Sequence, residues 1–237
     1  MTAYRVDFRL GSRIAADDAR AGSAKLMSGV QEGLVGALMN YEVLSEDERR
    51  TKNALAPVHF ASIKDGFSLI GYGETGKSIL NDVTHLLAEA WSKHLGLPVR
   101  LNSQEIPTGI QSRPYRMMYT VPRIVIQKKS RHRDIIKTAE QGKPHVEGLI
   151  LRGLKKHAEM LCLSLPDNLE INFVGCDSNF AAKLGHGGAC LAGMKGVRFE
   201  ANAALKGYWT MGYITSKGYG LLNADMSRGG LFDAPFQ

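Results

Sequence analysis

FSLIGYGETGKSILNDVTHLLAEAWSKHLGLPVRL, residues 67–101, supports two incompatible folds. Its centre, GYGETGKS from Gly71 to Ser78, satisfies the phosphate-loop pattern G-x4-G-K-[ST]. An apolar run precedes it and a helical pattern follows, which is the context such a loop requires. On that reading the chain is a phosphate-loop nucleotidase working through Gly71–Ser78, with Asp177 the one tolerable acidic partner for magnesium. The other reading takes Ser78–Leu95 as an amphipathic helix, with Ile79, Val83, Leu86, Leu87, Ala90 and Trp91 on one face and Gly96 and Pro98 as stop signals. The glycines before it are then a tight turn.

The flanking sequence separates the two. A phosphate-loop fold needs a parallel sheet built by helical crossovers. Here Pro57–Ala61 and Phe67–Gly71 read as two short strands around the turn Lys64-Asp65-Gly66, which is a hairpin. Tyr4, Val6, Phe8 and Leu10 alternate with Arg5, Asp7 and Arg9, the period of a half-buried strand. Leu26, Val30, Leu34 and Leu38 recur every four residues, so Ser23–Tyr41 reads as a helix. With Val99–Leu101 as a strand, the order is β-α-β-β-α-β, the ferredoxin-like arrangement. It ends near residue 105, and Ile106–Gly109 serves as a linker.

Beyond it, Arg113–Lys129 is a long extended stretch whose Pro114 and Pro122 mark an edge or interrupted strand. Arg131–Ala139 and His145–Leu161 read as helices, the latter burying Val146, Leu149, Ile150, Leu154 and Ala158. Leu169–Val174, Val197–Ala203, Tyr208–Ile214 and Tyr219–Asn223 read as strands.

The net charge of +7 is concentrated. Residues 100–160 hold 13 Lys and Arg against 5 Asp and Glu, whereas residues 1–99 hold 11 against 12 and residues 161–237 hold 6 against 6. Excess positive charge confined to one segment is the footprint of a polyphosphate partner. Within it Arg113, Arg116 and Arg123 interleave with Tyr115 and Tyr119, followed by Lys128, Lys129, Arg131, His132 and Arg133, and then by Arg152, Lys155 and Lys156 on one helix face. Arginine forks onto phosphates or guanine edges, and tyrosine offers a stacking face. These residue types together point to RNA.

Other chemistry has less support. Cys162, Cys176 and Cys190 form no C-x-x-C pair and read as reduced thiols, and the seven histidines show no metal-ligand spacing. No metal or cofactor is expected. His186, between glycines, is the best-placed histidine for acid–base work. The stretch GYITSKGYG, Gly212–Gly220, would let the backbone approach a ligand, with Ser216 supplying a hydroxyl and Lys217 a cation. No apolar run approaches the roughly 20 residues needed to span a bilayer. The first residues read as a strand instead of a leader, so the expected compartment is the cytoplasm, with no membrane partner.

Three stretches together resemble a known family. YRVDFRL (4–10) with AKLMSGVQEGLVGAL (24–38), RPYRMMYTVPRIVIQKKSRHR (113–133), and GVRFEANAAL (196–205) with GYITSKGYGLL (212–222) are similar in order and character to the CRISPR repeat-specific endoribonucleases of the RAMP superfamily. The stretches resemble especially the subtype I-F enzyme and its type IV relatives. The resemblance implies an α+β protein. An N-terminal ferredoxin-like (RRM-like) domain, residues 1–105, is followed by a second RAMP-type β-rich domain, residues 106–237, with basic helices inserted and a C-terminal glycine-rich loop.

It also implies a function. Such proteins bind the hairpin of a CRISPR repeat and cut at its 3′ base without a metal. The ribose 2′-OH attacks the adjacent phosphate, leaving a 2′,3′-cyclic phosphate and a 5′-OH, and the protein stays on the crRNA with other CRISPR effector subunits. By resemblance Tyr213 matches the tyrosine of the glycine-rich strand, Ser178 the active-site serine after FV-x-x-x-S, and Arg116 and Arg123 the arginines of the reading strand. The family's first-helix histidine has no counterpart; its position falls near Val35. Tyr213, assisted by Ser178 and Lys217, with His186 as a further candidate, is expected to carry the chemistry. A tyrosine's ordinary pKa of about 10 requires nearby cations if it is to act as a base. The alternatives are a non-catalytic crRNA-binding RAMP subunit and the phosphate-loop nucleotidase of residues 71–78.

Overall fold

The structure, a computed structural model, describes residues 2–28, 38, 56–126, 139–183 and 190–227. They form an α+β protein divided into two compact units. The first comprises residues 1–107 together with 159–162 and 214–218; the second comprises 108–158, 163–213 and 219–237.

In the first unit the chain runs β1 (Thr2–Arg9), α1 (Ala16–Met27), β2 (Val58–Ile63), β3 (Gly66–Tyr72), α2 (Gly73–Leu95) and β4 (Arg100–Pro107). The sheet order β2-β3-β1-β4 is fully antiparallel, with Tyr4 facing Gly71 on one side and Glu105 on the other. This is the ferredoxin-like order. Val6, Phe8, Val58, Phe60, Phe67 and Leu69 turn one sheet face toward Leu80, Val83, Leu87 and Trp91 of α2. Phe8 and Phe67 stack at 4.8 Å, and the Trp91 indole donates to Ser23 Oγ of α1 at 3.1 Å. Each such apolar side chain stabilises the fold by roughly 1.5–3 kcal/mol. Helix α1 begins at Ala16, seven residues before the start expected from the leucine spacing. Its buried positions there are Ala19 and Ser23, too small to show as a hydrophobic period. Leu38 is buried, while the expected Val30 and Leu34 lie outside the described residues.

The nucleotidase reading is overturned here. Helix α2 starts at Gly73, so Glu74 to Ser78 are its first turns and form no loop around a phosphate. The sheet is antiparallel and β3 comes from a hairpin. The glycines serve close packing instead. A Cβ on Gly76 would meet the Gly71 carbonyl carbon and the Pro57 oxygen, each at 2.7 Å, so only glycine lets helix and strand cross at this distance. Lys77 Nζ sits 4.6 Å from the centre of the Tyr4 ring, and Tyr4 raises its pKa.

In the second unit β5 (Gly109–Val125), β6 (Ile171–Gly175), β7 (Ser178–Lys183) and β8 (Cys190–Lys206) form an antiparallel sheet in which β5, β6 and β7 all pair with β8. Helix α3 (Ala139–Met160) is inserted between β5 and β6. It lays Val146, Leu149, Ile150, Leu154 and Ala158 on Tyr119, Val121, Phe199 and Ala201. The helix begins before Pro144 and not after it; of the helix expected over 131–139, all but Ala139 lie outside the described residues. A short ladder of β9 (Tyr208–Thr210) and β10 (Leu221–Asn223) and helix α4 (Ala224–Ser227) follow, and the 3₁₀ turn at Thr215–Lys217 belongs to the first unit. Strand β9 stops four residues short of the expected Ile214.

The two prolines of β5 mark its irregularities. The register with β8 shifts between Ser112 and Met117, around Pro114. At Pro122 the alternation slips: Tyr119 and Val121 face the core, and then Ile124 and Ile126 do. Gly196, opposite the slip, has φ +57° and lies against the Asp177 carboxylate. The slip turns Arg123 outward. Among the described residues no helix is long and apolar enough to cross a membrane.

Candidate nucleic-acid interface

The expected RNA-reading strand is β5. Arg113 is half-buried, and Arg116, Arg123 and Tyr115 are exposed. Arg116 donates to Glu170 at 2.8 Å across an exposed surface, a pair weak enough to exchange for a phosphate. Tyr119 contradicts its expected role. It is fully buried, its ring stacks on Phe199, and its hydroxyl donates to Ala203 O at 3.0 Å and accepts from Leu205 N–H at 2.8 Å. No base can stack on it; the exposed tyrosine of the strand is Tyr115.

Helix α3 presents Arg152 and Lys155 to solvent and Lys156 partly so, opposite its apolar stripe. Gly153 lies on the inner side, where a Cβ would meet Met211 Cα at 2.6 Å. His157 is also interior: its Nδ1 accepts the Thr210 N–H at 2.9 Å. Lys128, Lys129, Arg131, Arg133 and His186 lie outside the described residues.

Ser178 and Tyr213, the two described residues of the second unit expected to do chemistry, lie on different strands. Ser178 opens β7, exposed, and pairs with Lys195 of β8. Tyr213 bridges Val125 of β5, its N–H donating to Val125 O at 3.0 Å, and is half-buried against the core of the second unit. Because β8 and β5 stand between them, Ser178 and Tyr213 are three strand spacings apart, about 14 Å at the backbone. Ser216 and Lys217 belong to the first unit. Lys217 Nζ is held by Asp17 at 2.9 Å, with one fifth of its side chain exposed, so it ties the 3₁₀ turn to α1.

The glycines of residues 212–220 approach their own chain. Gly218, φ +83°, leaves no room for a Cβ beside Ala16 and the Phe60 carbonyl, and Gly220, φ +69°, none beside the Met211 carbonyl. Burial pushes the Cys176 thiol up, which suits a structural thiol and not a nucleophile.

Two cations escaped the sequence reading. Lys195 and Arg198 lie in a region whose charges sum to zero, yet strand alternation turns both outward on β8. Arg198 donates to Asp177 at 2.8 Å. Lys195 pairs laterally with Arg123 on one side and Ser178 on the other. The signal that could have found them is the period-2 pattern of MKGVRFE, broken at its glycine.

Comparison with known proteins agrees with this architecture. No curated protein sequence matches the chain. Among solved structures, a Csf5 described as a CRISPR-Cas type IV Cas6 crRNA endonuclease superposes with a TM-score of 0.70 at 22% identity, covering 95% of this chain and all of that one. Two Cas6b structures, one described as a CRISPR RNA processing endoribonuclease, superpose with TM-scores of 0.54 and 0.58 at 17% and 15% identity, each covering 94% of this chain and 99% of its own. At such identities the likeness concerns the fold. The sequence model of the type IV CRISPR-associated endonuclease Csf5 matches residues 17–227, nearly the whole length. The chain therefore belongs to the Csf5 family of type IV CRISPR-associated endonucleases.

Proposed function

We propose that this protein is a metal-independent endoribonuclease that binds the hairpin of a CRISPR repeat, cleaves pre-crRNA to crRNA, and stays on its product as a subunit of the interference complex in the cytoplasm. The family match over residues 17–227 carries the reading. The exposed Arg116, Arg123, Arg152 and Lys155 support it, all within the second unit and displayed away from its core. The proposed cut needs no outside reagent. The ribose 2′-OH loses its proton and attacks the adjacent phosphorus, the P–O5′ bond breaks, and the departing oxygen gains a proton. The products are a 2′,3′-cyclic phosphate and a 5′-OH. Tyr213 is the candidate at the reacting hydroxyl, and Ser178, three strands away, holds RNA at a second point. Lys217, engaged by Asp17, positions the glycine-rich turn.

The test is cleavage of repeat RNA in EDTA with end-group analysis of the products. Tyr213→Phe should lower the cleavage rate by about 10²-fold or more while leaving affinity near wild type. A hairpin bound tightly but left uncut by the wild-type protein would replace this reading with a second one, a crRNA-binding subunit without catalysis. The absence of any histidine before His59, and so from the first helix, is the observation that favours that second reading.

A further inference from the structure

On the face of the second sheet opposite α3, three residues of neighbouring strands stand in one lateral row. Arg123 of β5 faces Lys195 of β8, and Lys195 faces Ser178 of β7. Residues directly opposite in antiparallel strands project to the same side, with Cβ atoms about 5 Å apart. All three are exposed, and no ion pair engages Arg123 or Lys195 among the described residues. Asp177, whose N–H donates to the Lys195 carbonyl, has its carboxylate engaged by Arg198 and packed against Gly196. Two cations with no ion pair among the described residues, beside a hydroxyl, match the donors that a phosphodiester accepts.

Two residues along the strands, the next row on the same face is Val125, Gly193 and Phe180. The Phe180 ring covers Gly193 so closely that a Cβ there could not fit, and it stacks on Tyr219 with centroids 5.8 Å apart and planes 13° from parallel. Both aromatics are half-exposed. A cationic row bordered by a stacked aromatic pair is the combination that grips unpaired nucleotides: backbone on the cations, base against the rings. A duplex offers its phosphates but keeps its bases stacked away.

We infer that Arg123, Lys195 and Ser178 form a phosphate subsite for single-stranded RNA flanking the repeat hairpin, with the adjoining base lying against Phe180 and Tyr219. The inference rests on the endoribonuclease reading and adds to it a strand that the hairpin does not supply. Lys195 is the centre of the subsite.

The experiment measures affinity for two RNAs, the bare repeat hairpin and the same hairpin with a single-stranded extension, placed 5′ in one version and 3′ in another. Deoxynucleotides at the hairpin base prevent cutting. Wild type should favour one extended RNA by roughly tenfold or more. Lys195→Ala combined with Arg123→Ala should collapse that preference toward one and flatten the salt dependence for the extended RNA by about one to two units of slope. Lys195→Arg should restore the preference. Arg152→Ala with Lys155→Ala should instead weaken extended and bare RNAs by similar factors. The inference is overturned if the Lys195/Arg123 double variant keeps the wild-type preference, or if wild type shows no preference while still binding the hairpin; both outcomes leave the endoribonuclease reading standing. A wild-type protein that binds neither RNA overturns both.

Discussion

Replacing His59 with leucine should make the protein less sensitive to mild acid. His59 lies on β2, fully buried, with its ring edge-on to Tyr72 at 5.2 Å. Burial lowers its pKa from 6.5 to about 3, and the Ala56 backbone offsets only part of the shift. Above pH 6.5 the imidazole is neutral folded or unfolded, and its titration costs nothing. As the pH falls below 6.5 the unfolded chain takes up a proton that the folded chain refuses, so stability declines until the pH nears 3. By linkage the loss between pH 7 and pH 5 is about 2 kcal/mol from this group alone. Urea denaturation of both proteins at the two pH values measures it. The wild type should lose about 2 kcal/mol more than His59→Leu, whatever the leucine does to stability at pH 7. Equal losses would show that His59 is protonated in the fold or reached by water, refuting the reasoning.

Other outcomes follow from named contacts. Tyr119→Phe should cost about 1–3 kcal/mol, because Leu205 N–H and Ala203 O lose a buried partner; calorimetry registers it, while filter binding should show RNA affinity unchanged. Tyr115→Ala, on the exposed surface of the same strand, should do the reverse. Lys77→Ala should leave RNA affinity and cleavage near wild type, since its ammonium lies on the Tyr4 ring; loss of cleavage would revive a phosphate role for residues 71–78. Gly76→Ala should lower the melting temperature, because about 1 kcal/mol of helix propensity is outweighed by overpacking of roughly 1–3 kcal/mol against Gly71 and Pro57.

The ferredoxin-like order was legible because its strands and second helix are built from large apolar residues at regular spacing. What stayed hidden depended on small residues or on register. Helix α1 announces itself only after Ser23, since Ala19, Gly22 and Ser23 pack by closeness and not by bulk. Residues 73–77 look like a ligand loop because glycines that admit a phosphate and glycines that admit another backbone are identical in one dimension. Tyr119 sits between arginines in sequence, and strand alternation sends it inward. Lys195 was lost in a regional charge count, because acids such as Asp225 and Glu170 cancel it numerically without approaching it along the sheet. Arg123 could be named as a cation, but its outward direction depends on the slip at Pro122, which no period predicts.

The first unit includes residues 214–218, and the contacts that hold them there are concrete: Lys217 on Asp17 and Gly218 against Phe60. Its β-α-β-β-α-β body leaves the ribosome first, but residues 214–218 follow only after the long strands of the second unit. The nascent unit must wait, incomplete, while the second is synthesised, which lengthens the interval in which its aromatic core is exposed to chaperones or self-association. A stop codon after residue 107 would therefore release a body missing part of its own surface, and expression of that fragment should give material more prone to aggregate than the full chain.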